Sequence, residues 1–405
     1  MSTMAQEPAA SGYGPVVSDE VRESMRRLPA AFQLPLTLLT GKPLAEQRRI
    51  RFTPTRHLLN AVFSMLVGVV IGVLALRISG WALVMLLPGW AMTLHGMRNL
   101  RMMIYHQCAH RNMWGRRKLD AALGRFVAAL LVVQNFRQYS TEHVSEHHAL
   151  HHMTLRDPTV QAFLVGLRLH AGMPSRLMWR RVLAKLFSPR FHLAFLIGRV
   201  RSYAQSCGPV ERVCAIAAAV AVAAVAIATG TWLYLAVVWI LPLTVFYQIS
   251  NTLRLCVKHT FPRPDQTERR GHEYFATLTN AIFIGEATPD RDLRAGRRFA
   301  AWVRWCARML CVHFPARYLV LTGDTVCHDF HHRQPMSRRW ADYIFERAAD
   351  AAKQSPGRAP YRHVWGLAQA MDTVFRSLSA ADPAEYDPAR LAAVNRRELF
   401  AAFDD

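Results

Sequence analysis

The chain has 405 residues and carries 50 Lys and Arg against 28 Asp and Glu, a formal charge of +22. In a soluble protein such a charge would indicate nucleic-acid binding. Here 52% of the residues are hydrophobic, and long apolar runs separate the basic segments. That distribution is typical of an integral membrane protein with positively charged cytoplasmic segments, so we expect no nucleic-acid partner. The seven cysteines show no CxxC pair and no iron–sulfur spacing, and their odd number and scatter argue against a disulfide framework.

The first 54 residues are mostly polar and precede the first apolar run. They lack the charged start, short apolar core and cleavage site of a signal peptide, so we expect none. We interpret residues 1–54 as a cytoplasmic N-terminal segment.

Four apolar runs predict membrane spans. The first has 19 residues, and at 1.5 Å per residue a helix of that length extends about 28 Å, enough to cross the hydrocarbon core. Very short connections join the first run to the second and the third to the fourth, which predicts two helical hairpins. The basic segments then lie in the cytoplasm together with both termini, in an inner (cytoplasmic) membrane. The predicted spans are residues 58–76, 81–95, 213–230 and 232–248.

The segments between and after the spans complete the predicted fold. Residues 182–200 are mixed apolar and basic, and we expect them to lie along the membrane surface with a break at Pro189. Residues 346–405 are predicted to form a cytoplasmic helical tail without chemistry. The predicted fold is therefore all-α: a membrane domain over residues 55–345, with four transmembrane helices and a cytoplasmic helical cap that carries the histidine-rich segments.

Ten of the 18 histidines fall into three clusters outside the predicted spans. Residues four apart on a helix lie on one face, so each cluster can direct two or three imidazoles to one point. Neutral imidazole is a ligand for iron, zinc and copper. One such pair arises easily by chance, whereas three clusters do not. The clusters are HQCAH (His106, His110), HVSEHHALHH (His143, His147, His148, His151, His152) and HDFHH (His328, His331, His332).

This number of imidazoles is too large for one metal ion and suits two. A structural zinc site takes four ligands from Cys and His, and the sequence offers no set of thiolates for it. The ligand type alone does not select iron over zinc or copper.

These motifs resemble those of the membrane fatty-acid desaturase and hydroxylase superfamily, over roughly residues 55–345. That family has three histidine boxes, four spans in two hairpins, and a cytoplasmic site with two non-haem irons. HQCAH matches the first box, and the following RRKLDAALGRF is similar to the usual sequel. HDFHH, followed by Arg333 and Pro335, matches the third box.

The resemblance leaves two alignments of the middle box open. HVSEHHALHH contains HxxxHH in its first six residues and HxxHH in its last five. Family members usually place Asp-Pro several residues beyond the histidine pair, and Asp157-Pro158 lies at a more typical distance from His147-His148. We therefore favour HxxxHH. His151 and His152 are then either alternative metal ligands or residues that contact the ligands from outside.

The resemblance also implies supporting groups. Many members supply one more histidine shortly after the last span, and His259 is the best candidate, supported by Asn251. Glu146 and Asp329 are candidates to accept a hydrogen bond from a metal-bound histidine, whereas Asp157 is expected to cap a helix. The implied metal ligands are His106, His110, His143, His147, His148, His259, His328, His331 and His332.

The implied activity is an O2-dependent desaturase that removes two hydrogens from an acyl chain with two iron ions and two electrons. We expect the acyl chain to enter an apolar channel between the hairpins and the cap. The sequence shows no haem-binding or ferredoxin-like domain, so a separate electron-donor protein of ferredoxin or cytochrome type is expected on the basic face. An acyl carrier protein is a further candidate partner.

Three alternatives stay open from the residues. A lipid or alkane-type hydroxylase would use the same site, since Glu142-His143 followed by His147-His148 is similar to the middle box of alkane hydroxylases; Gln107, where those enzymes usually have Glu, counts against it. A metal-ion transporter or sensor would place its ligands inside the spans. A scaffold with incidental histidines is the third alternative.

Overall fold

The computed structural model describes residues 20–143, 152–265, 271–353 and 358–391. Within these ranges the chain is mostly helical, as predicted. The strands there are two three-residue segments, Ala281–Phe283 and His363–Trp365, which pair in parallel with Ala281 opposite His363. This pairing ties the C-terminal segment to the chain that follows His259.

Three helices are long and apolar enough to cross a membrane: Pro54–Ile78, Pro209–Ala228 and Trp232–Leu255. They coincide with the predicted first, third and fourth spans, so the membrane character of the protein is confirmed. The predicted second span falls on a 3-10 segment, Gly80–Met85, and a shorter helix, Leu86–Asn99. The count of four spans stays a prediction.

The first spanning helix and Leu86–Asn99 pack antiparallel with their backbones nearly touching. A Cβ atom on Gly96 would lie 2.5 Å from the carbonyl oxygen of Ala61, and one on Gly68 would lie 2.4 Å from the amide nitrogen of Thr93. Only glycine permits this approach, which is the small-residue packing of membrane helices. Close packing at these two glycines holds Leu86–Asn99 antiparallel to the first spanning helix, and the chain then continues into the first histidine motif.

Helix Leu86–Asn99 runs without a break into that motif. Leu100–Tyr105 is π-helical and His106–Ala109 is α-helical again. A π-helical turn adds one residue per turn and so re-aims the side chains that follow it, which is why such turns recur at functional sites. The hydroxyl of Tyr105 donates to the carbonyl oxygen of Gln134 at 2.6 Å and anchors this point of the helix.

The last spanning helix is also irregular. Two π-helical segments, Leu235–Ile240 and Pro242–Phe246, precede the regular helix Tyr247–Leu255. Pro242 lacks an amide hydrogen, which accounts for an interruption at this position. The helix ends four residues before His259.

The other helical segments lie between and after these elements in the chain. The predicted break at Pro189 is confirmed, because one helix ends at Leu186 and the next begins at Pro189 with proline in its first turn. The remaining helical segments are Glu20–Ser24, Met25–Arg27, Ala30–Thr40, Arg117–Leu131, Phe136–Glu142, Pro158–Gln161, Ala162–Gly166, Ser175–Leu186, Pro189–Ser206, His272–Thr277, Ala295–Arg308, Met309–His313, Ala316–Val320, Gly323–Cys327, His328–Arg333, Trp340–Asp342, Tyr343–Lys353, Leu367–Ala380 and Pro388–Leu391.

Candidate metal centre

Two groups of buried histidines lie side by side at the centre of the molecule. Within each group, the nitrogen atoms that could bind a metal all lie within 4.8 Å of one another. All seven members were predicted as ligands. The first group is His106, His110, His143 and His331, and the second is His259, His328 and His332. Four further predicted residues, Glu146, His147, His148 and His151, lie outside the described residues.

The first group joins all three sequence clusters. His106 and His110 come from the helix that follows the π-helical turn, and their ring centroids are 5.0 Å apart. The Nε2 atoms of His106 and His143 are 2.8 Å apart. The ring of His331 lies 4.4 Å from that of His106 and 4.7 Å from that of His110. Tyr139, one turn before His143, stacks on the His143 ring at 5.0 Å and holds it in place.

The second group joins the third cluster to the residue after the last spanning helix. The Nε2 atoms of His328 and His332 are 3.1 Å apart, and the His259 ring lies 4.7 Å from the ring of His332. The Nδ1 atom of His259 is 3.0 Å from the hydroxyl oxygen of Thr279. An Nδ1–H donated to Thr279 would leave the lone pair on Nε2 for a metal. Sequence reasoning missed Thr279, because a single threonine 20 residues away carries no pattern.

One short helix, His328–Arg333, serves both groups. Successive residues of an α-helix are turned by about 100°, so residues four apart project from one side while their neighbours do not. His328 and His332 accordingly face the second group, and His331 faces the first. The ring centroids of His331 and His332 are 6.0 Å apart, so the two groups are immediate neighbours.

His152 lies beside the second group. Its ring centroid is 4.4 Å from that of His259 and 5.1 Å from that of His332. Its Nδ1 atom is 3.7 Å from the carboxylate of Asp157. Asp157 also accepts a hydrogen bond from the Thr159 amide at 2.8 Å, which confirms its predicted role as a helix cap. The two ends of the middle cluster, His143 and His152, therefore lie at different groups.

Asp329 is held by an arginine from the C-terminal segment. Both carboxylate oxygens accept hydrogen bonds from Arg347, at 2.7 to 2.9 Å, and both side chains are buried. Burial by itself lowers the pKa of Arg347, but the neighbouring Asp329 carboxylate more than offsets this, so the pKa is raised. The pair locks the third-cluster helix against helix Tyr343–Lys353. Sequence reasoning missed Arg347, which lies in the segment predicted to carry no chemistry.

Asn251 and Asp324 occupy buried positions next to the first cluster. Asn251, predicted to support the site, accepts a hydrogen bond from Arg98 at 2.5 Å. Asp324 was not predicted, and the Gln107 amide donates to it at 3.4 Å. Burial raises the pKa of Asp324 to about 6, while Arg254 and Gln107 oppose part of that rise.

The histidines fit metal binding. Two nitrogen ligands about 2.1 Å from one ion, and at right angles to each other, lie about 3 Å apart. The separations of 2.8 Å in the first group and 3.1 Å in the second agree with that value. Each group consists of buried imidazoles alone, and such ligands suit iron, zinc or copper. The described residues alone thus supply four and three nitrogen donors to two adjacent positions.

Comparison with known proteins agrees with this geometry. The family model described as fatty acid desaturase matches residues 79–286, just over half of the 405 residues. The match includes the first two clusters and His259, while the third cluster follows it in sequence. Among curated proteins, no match to the chain is found. The chain therefore belongs to the fatty acid desaturase family, whose members are membrane-bound oxidoreductases that act on lipids and are known for their use of two irons.

Proposed function

We propose that this protein is an O2-dependent desaturase that holds two non-haem iron ions and dehydrogenates the acyl chain of a lipid. The observation that carries the proposal is the pair of adjacent, all-histidine groups, which share one helix. One ion would be held by each group.

The middle cluster is proposed to contribute to both ions. His143 belongs to the first group and His152 lies beside the second, so the two described ends of the cluster lie at different groups. In our proposal His147 and His148 complete the ligand set, with His151 and His152 as alternative ligands. This assignment keeps the HxxxHH alignment and explains why the cluster has more histidines than one box needs.

The proposed topology has four spans in two hairpins. The antiparallel packing of Leu86–Asn99 against the first spanning helix supports a second span, because it returns the chain toward the side from which it entered. The histidine groups and both termini would then face the cytoplasm. Residues 1–54, 55–345 and 346–405 are the proposed N-terminal segment, membrane domain and cytoplasmic tail, and the Asp329–Arg347 pair joins the last two.

The acyl chain is proposed to enter a cleft of about 870 Å³ beside the spanning helices. Ligand pockets commonly measure roughly 300–1,000 Å³. Its walls are mainly apolar and include Trp90, Leu94, Phe246 and Leu253, the last of which lies six residues before His259. An apolar wall suits a hydrocarbon chain and excludes water.

The proposed mechanism divides the work between the metal and the chain. When bound, the two irons would supply, with O2 and two electrons, the oxidising power needed to remove two hydrogens from neighbouring carbons. The histidines would hold and space the ions. Thr279 and Tyr139 orient two of the imidazoles, and the Asp329–Arg347 pair fixes the helix that serves both groups. Placement of the substrate carbon within this frame decides the rate and the position of attack. Electrons are proposed to come from a separate acidic protein of ferredoxin or cytochrome type, with an acyl carrier protein as a further candidate partner.

The test is metal analysis followed by lipid analysis. We expect about two irons per purified chain, and a new double bond in the lipids of cells that express the protein. His110→Ala and His332→Ala should each lose metal and abolish the product. Zinc alone, or full activity in either variant, would contradict the proposal. If the product carries a new hydroxyl instead of a double bond, the proposed metal site stands but the protein is a lipid or alkane-type hydroxylase.

A metal transporter or sensor is a weaker candidate. Transporters hold their ions near the bilayer centre, on ligands within the spans. The seven grouped histidines all lie outside the three membrane-spanning helices.

A further inference from the structure

Helix Ala295–Arg308 has an unusual distribution of charge. Between residues 294 and 308 the chain has five arginines and no acidic residue. Two of these arginines, Arg297 and Arg304, are exposed and lie on one side of the helix, because residues seven apart share a face. Arg308 extends this side but is paired with Glu286. This side is a strip of positive charge.

A second side of the same helix is apolar and yet exposed. Phe299 and Val303, four residues apart, are 73% and 53% exposed. The chain continues helically to Val320, and Leu310 and Phe314 extend this stripe with exposures of 67% and 45%. We call these four residues the apolar stripe. Large apolar side chains in a continuous exposed row indicate an interaction surface rather than a solvated face.

A third side packs on the protein and fixes the orientation of the other two. Trp305 and Met309 are buried, and the indole nitrogen of Trp305 donates to the carbonyl oxygen of Glu286 at 3.0 Å. These contacts attach the helix to the molecule, while Arg297, Arg304 and the apolar stripe are turned outward.

The continuation of this helix reaches the first spanning helix. The Tyr318 hydroxyl lies 3.2 Å from the hydroxyl of Ser64, and the Tyr318 ring stacks on His95 at 3.8 Å. Ser64 lies ten residues into Pro54–Ile78, within a few turns of the end where that helix begins. The helical chain that carries the apolar stripe thus continues to the membrane-spanning part of the molecule.

We propose that helix Ala295–Arg308 lies in the plane of the membrane–water interface, with its apolar stripe in the acyl region and its basic strip on the phosphates of anionic lipids. An amphipathic helix with arginines beside its apolar face binds in this way, through buried apolar area and attraction to anionic head groups. Arg308, at the end of this helix, and Val312, just beyond it, also line the 870 Å³ cleft. In this orientation the cleft therefore lies at the depth of the lipid head groups. The proposal concerns membrane contact and stands whether or not the protein is a desaturase.

Two adjacent positions give a matched test. In full-length protein in which the exposed Cys214, Cys306 and Cys311 are replaced by serine, a spin label is attached through Val303→Cys or Arg304→Cys. In phospholipid nanodiscs, the label at position 303 should relax more with O2, which partitions into hydrocarbon. The label at position 304 should relax more with a water-soluble nickel chelate. Dominant relaxation by the nickel chelate at both positions would overturn the proposal and leave the stripe as a surface for a soluble partner protein.

The basic strip is tested by changing the lipid. With the label at position 303, adding phosphatidylglycerol to phosphatidylcholine nanodiscs should raise the O2-to-nickel ratio. The combined variant Arg297→Gln, Arg304→Gln should lose this rise, whereas the corresponding lysine variant should keep it. An equal rise in the glutamine variant would overturn the role of the arginines. Arg308 is left intact because its charge is already paired with Glu286. An unchanged thermal unfolding midpoint in each variant shows that the fold is preserved.

Discussion

His331 and His332 are consecutive in the chain, yet they belong to different histidine groups, with ring centroids 6.0 Å apart and planes at 78°. Two neighbours on a helix diverge by about 100°, so a single turn can present donors to two separate points. This relationship makes the third cluster the element that sets the distance between the two proposed ions.

Replacing each of these histidines should therefore remove a different ion. We expect His331→Ala and His332→Ala each to reduce bound iron from about two per chain toward one, and the double variant to reduce it further than either. The measurement is elemental analysis of protein in detergent, with His170→Ala as the control, since His170 lies outside both groups. Loss of both ions in each single variant would instead mean that the two groups form one inseparable site.

Breaking the Asp329–Arg347 pair should loosen the third-cluster helix. Removing one partner leaves the other as an uncompensated buried charge, which typically costs about 3–5 kcal/mol. We expect Arg347→Met to lower the thermal unfolding midpoint strongly and to reduce iron retention. The variant Arg347→Met, Asp329→Leu should recover part of the stability, because it leaves no buried charge. Exposed Arg308, paired with Glu286, provides the matched control Arg308→Met, which should have little effect on the midpoint.

A side chain on Gly96 should separate the first two helices. The added Cβ of Gly96→Ala would meet backbone atoms of Ala61 at 2.5 Å, and backbone cannot move aside without shifting the helix. We expect a loss of stability of about 1–3 kcal/mol, the usual cost of overpacking. Gly208→Ala is the control, because a Cβ there would meet nothing within 4 Å. Equal unfolding midpoints for the two variants would contradict the close packing.

The buried Asp324 predicts a specific pH dependence. Its pKa of about 6 lies above the ordinary value of 3.8, so the folded protein binds this proton more tightly than the unfolded chain. Between pH 4 and pH 6 the folded state then holds more protons, and the free energy of unfolding falls as pH rises through that window. Asp324→Asn removes this titration. We expect the variant to match the wild type near pH 4 and to exceed it by up to about 3 kcal/mol above pH 6.

The pH series is measured by thermal unfolding at constant ionic strength. Asp292→Asn, at an exposed acid, is the control and should show no such divergence. A stability difference for Asp324→Asn that is the same at every pH would show that the carboxyl does not titrate in this range.

Much of the fold could be predicted because the signals were local. Apolar runs long enough to span a bilayer identified the three spanning helices, and the helical spacing of HQCAH and HDFHH identified histidines that do converge. Burying unpaired backbone in lipid is so costly that length and composition alone nearly dictate a spanning helix. The helix break at Pro189 and the helix cap at Asp157 were likewise predicted from single residues and their immediate neighbours in the chain.

The sequence by itself determined that the chain is helical, inserted in a membrane and equipped with clustered imidazoles, since each of these depends on residue type and spacing along one helix. Only the tertiary structure decided how the imidazoles are shared: His331 joins the first cluster, His328 and His332 join His259, and His152 lies beside them. It alone also revealed Thr279, Asp324 and Arg347 next to the centre. Their partners lie 20, 217 and 18 residues away in the chain. Such contacts depend on how separate elements pack, which no local pattern encodes.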